Sequence, residues 1–102
     1  MAVGSDTLPT LHPVAGFRLG TTSAGVKTPG RKDLVIMELA ANATVAGVFT
    51  QNQFCAAPVQ ISKAHLAAGM PSYLLVNTGN ANAGTGKEGY QDALTCCQAV
   101  AD

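Results

Sequence analysis

Apolar positions along this chain change period, and each change marks an element. In Phe17–Thr22, Phe17, Leu19 and Thr21 alternate with Arg18 and Gly20, the two-residue period of a strand. "LVIMEL" at Leu34–Leu39 is a short, dense apolar run rich in strand formers and predicts a buried strand. "KTPGRKD" between them predicts a turn, with Pro29-Gly30 as its punctuation. Asn42 marks the next turn, and "TVAGVF" at Thr44–Phe49 predicts a further strand, weakened by Gly47. Together these segments predict an antiparallel meander.

After Thr50 the pattern changes. Pro58 argues against a central strand in "QNQFCAAPVQI". "SKAHLAAGMP" predicts a short helix with Ser62 as N-cap, Gly69 just past the end and Pro71 beyond it. "SYLLV" at Ser72–Val76 is a continuous apolar run, as expected of a strand buried on both faces. Further on, Tyr90, Ala93, Leu94, Cys97, Val100 and Ala101 fall on one stripe of a helix. Lys87, Glu88, Gln91, Asp92, Thr95, Gln98 and Asp102 cover the opposite face. Thr85-x-x-Glu88 has the spacing of a capping box, with Thr85 as N-cap. The stripe is still running at Asp102 with no stop signal, so a longer protein is expected. The organisation expected is a loose arm over residues 1–15, then residues 16–102 as the front part of an α/β domain. Its strands are mixed or antiparallel, with a short helix and a C-terminal amphipathic helix.

Composition narrows the class. The chain has 102 residues, 47% of them hydrophobic and 12% charged, which suits one small folded domain and not a disordered segment. Trp is absent and aromatics are 5%, so the core must come from Ala, Val, Leu and Ile. A core of such small residues suggests a piece that packs against more protein. Formal net charge is zero, and the only basic cluster, Lys27 with Arg31 and Lys32, surrounds a turn. Nucleic-acid binding normally shows a basic patch, so none is expected. The N-terminus lacks a basic segment followed by an apolar one, and no run reaches membrane-spanning length. A soluble cytoplasmic protein is expected, with no membrane role. Cys55, Cys96 and Cys97 have no metal-site spacing and are expected to be free thiols. His12 and His65 have no recognisable nucleophile or acid partner and read as structural or surface residues.

The chemistry lies in "VNTGNANAGTGKEGYQDA", Val76–Ala93. A strand, a glycine-rich loop and a helix start put unpaired backbone N–H groups at the positive end of a helix. Glycines let a ligand approach that backbone closely. "GTGKEG" at Gly84–Gly89 fits the dinucleotide pattern GxGxxG, but "NTGNANA" separates it from the strand it should follow at once. The P-loop pattern fails twice, at Ala81 where glycine is required and at Glu88 where Ser or Thr is required. A third use is an oxyanion hole, with the Thr85 hydroxyl and the Gly86 amide converging on a carbonyl oxygen during acyl transfer. The plain structural reading is a loop whose asparagines satisfy their own backbone, with Thr85 as a simple helix cap.

The same stretch resembles the signature loop of the ornithine acetyltransferases, also called glutamate N-acetyltransferases or bifunctional ArgJ proteins. "GFRLGTTSAGVKTPGRKDLVIMEL" is similar to that family's opening segment, and "ATVAGVFTQNQFCAAPV" to the next. The resemblance runs from about Gly16 to Asp102, in order. It implies a layered α/β sandwich and an enzyme that moves acetyl from N-acetylornithine to glutamate in arginine biosynthesis. No bound cofactor is implied, and acetyl-CoA enters as a co-substrate in some members. A precursor that cuts itself before a threonine is implied, and that threonine begins a second chain and acts as nucleophile. The partners implied are the two substrates and the rest of the precursor, including this threonine-initiated chain, in a hetero-oligomer. Carried over by position, the family's oxyanion-hole pair falls on Thr85 and Gly86. Many relatives have cysteine where this chain has Gly84. The nucleophile and substrate-binding residues lie in segments this chain does not contain, so the chain alone is expected to be inactive. Two rivals remain: a nucleotide-binding fragment using Gly84–Gly89, which NAD or ATP would stabilise, and a non-enzymatic interaction module that unfolds sharply as a monomer.

Overall fold

The computed structural model describes Gly4 and residues 7–102. Of the expected N-terminal arm, residues 1–3, 5 and 6 lie outside the described residues, while residues 8–14 carry no helix or strand. The elements are β1 (Phe17–Thr22), β2 (Leu34–Leu39), α1 (Ala57–Ala68), β3 (Tyr73–Asn77) and α2 (Gly86–Ala101). This is a mixed α and β fold, with a fully antiparallel sheet in the order β1-β2-β3.

The first two strands form a hairpin with the bounds their patterns predict. Phe17 pairs with Leu39 and Thr22 with Leu34. Arg18 stands opposite Glu38, and its Nε donates to Glu38 Oε2 at 2.7 Å. That pair is solvent-exposed and contributes about 0–1 kcal/mol. In the connection, the Arg31 N–H donates to the Thr28 carbonyl at 3.3 Å, and Gly30 has φ +77°. Pro29 and Gly30 thus hold the two central positions of a type II turn, which needs a positive φ at the second.

Asp33 is buried at the end of this connection. Its carboxylate accepts the Ala24 N–H at 2.7 Å and the Val26 N–H at 2.8 Å. Those bonds favour the ionised form, so they hold the carboxyl below its ordinary pKa, Ala24 foremost, while burial opposes them. The backbone of Asp33 extends the tie. Its N–H donates to the Thr22 carbonyl at 3.2 Å, and its carbonyl accepts the Thr78 N–H at 3.0 Å.

Three expectations need correction. Thr44–Phe49 is not a strand. The edge of β2 it would have paired with is taken by β3, in register Leu34 with Asn77 to Glu38 with Tyr73. One row of backbone donors and acceptors serves one partner, and the more apolar segment holds it. Nor is β3 buried on both faces. It is an edge strand, and Leu74 and Val76 are 50% and 42% exposed. Finally, α1 starts at Ala57 and not after Ser62. Ala56 is the extended N-cap residue, and Pro58 occupies the first turn. A proline there loses no hydrogen bond, because first-turn N–H groups have no intrahelical partner. The C-terminal end is as predicted, with Gly69 at the cap and its N–H donating to the His65 carbonyl at 3.2 Å.

The α2 stripe holds. Tyr90, Ala93, Leu94, Cys97 and Val100 are partly covered, whereas Ala101 is exposed. This face packs on α1 and reaches β3. Among the described residues, Ala57 and Ile61 of α1 are the buried apolar ones. The three cysteines are free thiols. No helix among the described residues is long and apolar enough to cross a membrane.

Candidate functional site

The segment from Thr78 to Thr85 joins the sheet to α2, and it is seated on the Asp33 turn. Thr78 is bonded to Asp33, and Gly79, at φ +96°, lies close against the β1–β2 connection. A Cβ there would stand 3.1 Å from Lys27 Cβ and 3.6 Å from Val26 Cγ1. The asparagines then brace the loop. The Asn82 amide donates to Asn77 Oδ1 at 3.1 Å, and Asn80 donates to Asn82 Oδ1 at 3.2 Å. The loop is therefore shaped by its own side chains and tied back to the end of β3.

Thr85 stands at the N-cap position, as its spacing predicts, but the capping box does not form. Its backbone is helical (φ −90°, ψ −3°), and its side chain makes no cap hydrogen bond. The hydroxyl donates instead to the Asn82 carbonyl at 3.4 Å. An N-cap normally has extended backbone, which aims its oxygen at the N–H groups two and three residues on. Helical angles at Thr85 turn the side chain elsewhere. Gly86 follows at φ +64°, a conformation that favours glycine.

Thr85 and Gly86 line an open cleft of about 510 Å³. Gly84, Lys87 and Tyr90 share their wall, and Gln53, Phe54, Cys55, Ala57 and Gln60 form the other. The Phe54 ring lies over Gly84, where a Cβ would come within 3.0 Å of its Cζ. A side chain at this position would press on that ring, and φ +71° would strain its backbone. The opposite wall is itself held by local bonds. Asn52 N–H donates to Thr50 Oγ1 at 3.1 Å, Phe54 N–H to Asn52 Oδ1 at 2.9 Å, and Gln60 Nε2 to the Cys55 carbonyl at 2.9 Å. Sequence reasoning finds Thr85 and Gly86 but not this wall. Phe54 and Gln53 sit some thirty positions away with no periodic or motif signal; their "QNQFCAAP" context is only part of the resemblance.

Chemically, the cleft has a hydroxyl, the amide of a glycine at a helix start, the positive end of α2 and a lysine. That set suits an anion or a carbonyl oxygen gaining negative charge. It does not suit a dinucleotide. Residues 78–85 separate β3 from α2, β3 is an antiparallel edge strand, and the described residues contain no parallel strand pair. The dinucleotide pattern works in a tight turn directly after a parallel strand. No group of three or more His, Cys, Asp or Glu able to hold a metal comes together among the described residues.

Fold and site together define an α+β protein with a glycine- and asparagine-rich loop presenting a helix start to a cleft. The chain belongs to the ArgJ family, whose model matches residues 18–102. It is 58% identical over 101 residues to the arginine biosynthesis bifunctional protein ArgJ of Pseudomonas syringae pv. tomato, covering 99% of this chain and 25% of that one. It is 64% identical over 93 residues to the protein of the same description from Pseudomonas fluorescens, covering 91% and 23%. The chain thus spans about a quarter of the length of these curated relatives. Among solved structures, it matches the ArgJ protein of Bacillus halodurans with a TM-score of 0.72 and 39% identity, over 79% of this chain and 42% of that one. It matches the ornithine acetyltransferase of Mycobacterium tuberculosis, solved in complex with ornithine, with a TM-score of 0.71 and 40% identity, over 78% and 42%.

Proposed function

We propose that this chain is the N-terminal part of an acyltransferase of arginine biosynthesis that moves acetyl from N-acetylornithine to glutamate, with Thr85 and Gly86 as its oxyanion hole. In this reading, a threonine supplied by the rest of the protein attacks the acetyl carbonyl. The carbonyl π electrons move onto oxygen, and the Thr85 O–H and Gly86 N–H donate to that oxygen. The terminal amine of that threonine takes its hydroxyl proton and passes it to the leaving nitrogen. Collapse of the tetrahedral intermediate thus expels ornithine as a neutral amine and leaves an acetyl-enzyme, from which the glutamate amine takes the acetyl group. The threonine comes from self-cleavage of a precursor, and the two chains work as a cytoplasmic hetero-oligomer. The cycle needs no bound cofactor, and acetyl-CoA is a co-substrate only in some members of the resembled family.

The observation that carries the reading is local. In a chain of the ArgJ family, Thr85 and Gly86 stand together in a cleft wall at a helix start, and the Thr85 hydroxyl is not consumed as a cap. Thr85→Ala in the complete acetyltransferase should lower the acetyl-transfer rate by about 10²-fold, the scale of losing one oxyanion donor. Folding should survive, because the side chain makes no cap bond to lose. A wild-type rate in that variant would reject the assignment.

A further inference from the structure

We propose that Gly89 is a positioning residue for Thr85: its bare Cα is the socket in which the Thr85 side chain lies, with its hydroxyl turned from the helix amides toward Asn82. The proposal rests on the oxyanion reading of Thr85. Residue 89 is one turn beyond Thr85, and its N–H donates to the Thr85 carbonyl at 3.2 Å. A Cβ at 89 would fall on the Thr85 hydroxyl oxygen and Cβ, and would stand 3.3 Å from Cγ2. The backbone is the cause. Helical angles at Thr85 followed by φ +64° at Gly86 fold the threonine side chain down onto the first turn of α2. It occupies the space that belongs to the side chain of residue 89.

Glycine is a poor helix residue, and its usual justification is a positive φ. Gly89 has none, although Gly84 and Gly86 do. Space is the remaining reason for it. The threonine side chain in this socket is bounded on one side by the Gly89 Cα, and on the other its hydroxyl reaches Asn82, whose amide is bonded to Asn77. Its own bond to the Asn82 carbonyl is long, at 3.4 Å, and therefore weak. A charged oxygen is a much stronger acceptor than a carbonyl, so the proton can turn to an oxyanion without side-chain movement.

The test is made in the complete acetyltransferase. Gly89→Ala is expected to lower kcat by about tenfold or more with little change in KM for the acetyl donor, the pattern of a donor group displaced from its working position. Alanine is the better helix former, so reduced helix stability does not predict this loss. Thr85→Gly empties the socket and removes the hydroxyl. Adding Gly89→Ala to it should change kcat by less than about twofold, since nothing is left to displace. A wild-type kcat in Gly89→Ala, or a loss that multiplies in the Thr85→Gly background, overturns the proposal. A wild-type rate in Thr85→Gly alone overturns the oxyanion reading instead. If Gly89→Ala does not fold, recovery of folding in the double variant supports the socket, and continued failure overturns it.

Discussion

Asp33 joins two stretches that are far apart in sequence. Its carboxylate closes the turn at Ala24 and Val26, and its carbonyl anchors Thr78, the first residue of the loop that carries Thr85. Asn at this position keeps the shape but turns an amide N–H₂ toward a backbone N–H. Asp33→Asn should therefore lower the melting temperature at neutral pH. The sign of the pH dependence follows from the lowered pKa. A carboxyl that ionises more readily when folded adds stability above its unfolded value, near 3.8, and loses it as pH falls through the lower folded value. The gap in melting temperature between wild type and Asp33→Asn should be widest above pH 3.8 and close below it. A gap that persists unchanged into strong acid would mean that the carboxylate is not what holds the turn.

Among the elements, α1 separates what a cap signal promises from what packing decides. Ser62 lies inside the helix and not at its start. Ser62→Ala should leave stability within about 0.5 kcal/mol, where loss of a true N-cap would cost about 1 kcal/mol. Ile61, one residue earlier, is the most buried apolar residue described, and Ile61→Ala should cost about 2–5 kcal/mol. Urea denaturation of both variants measures the contrast. Equal losses would restore Ser62 as the cap. For α2 the stripe was legible because its period alone orients the helix. The capping box was not, because the same letters permit a threonine with helical angles, and Gly86 with Gly89 selects that conformer.

The whole molecule buries little. Its accessible surface is 8304 Å², against about 5,400 Å² for a compact monomer of this mass. Its radius of gyration is 15.1 Å, against about 13 Å. The excess is partly on one sheet face. Leu19, Met37 and Leu74 stand in a row across the three strands, and Leu19 and Leu74 are 57% and 50% exposed. Val76 lies on the same face. The purified chain should bind an apolar dye and self-associate, and Leu19→Thr with Leu74→Thr should reduce both. A dye-silent monomer with one sharp unfolding transition would favour the interaction-module rival.

By itself, the sequence determined what depends on near neighbours. The bounds of β1 and β2, the Pro29-Gly30 turn, the covered stripe of α2 and the position of Thr85 at its start all follow from period and local conformation, which act over a few residues. The ArgJ family membership was legible in the same local strings. Only the tertiary structure decided which segment completes the sheet. Thr44–Phe49 and Tyr73–Asn77 both have strand-forming composition, and their competition for one edge of β2 is a long-range matter. It also decided that Gln53 and Phe54 face Thr85 across a cleft, that Asp33 supports the loop, and that Gly89 leaves room for the threonine. Each of these depends on which distant backbones meet in space, and no short-range pattern encodes that.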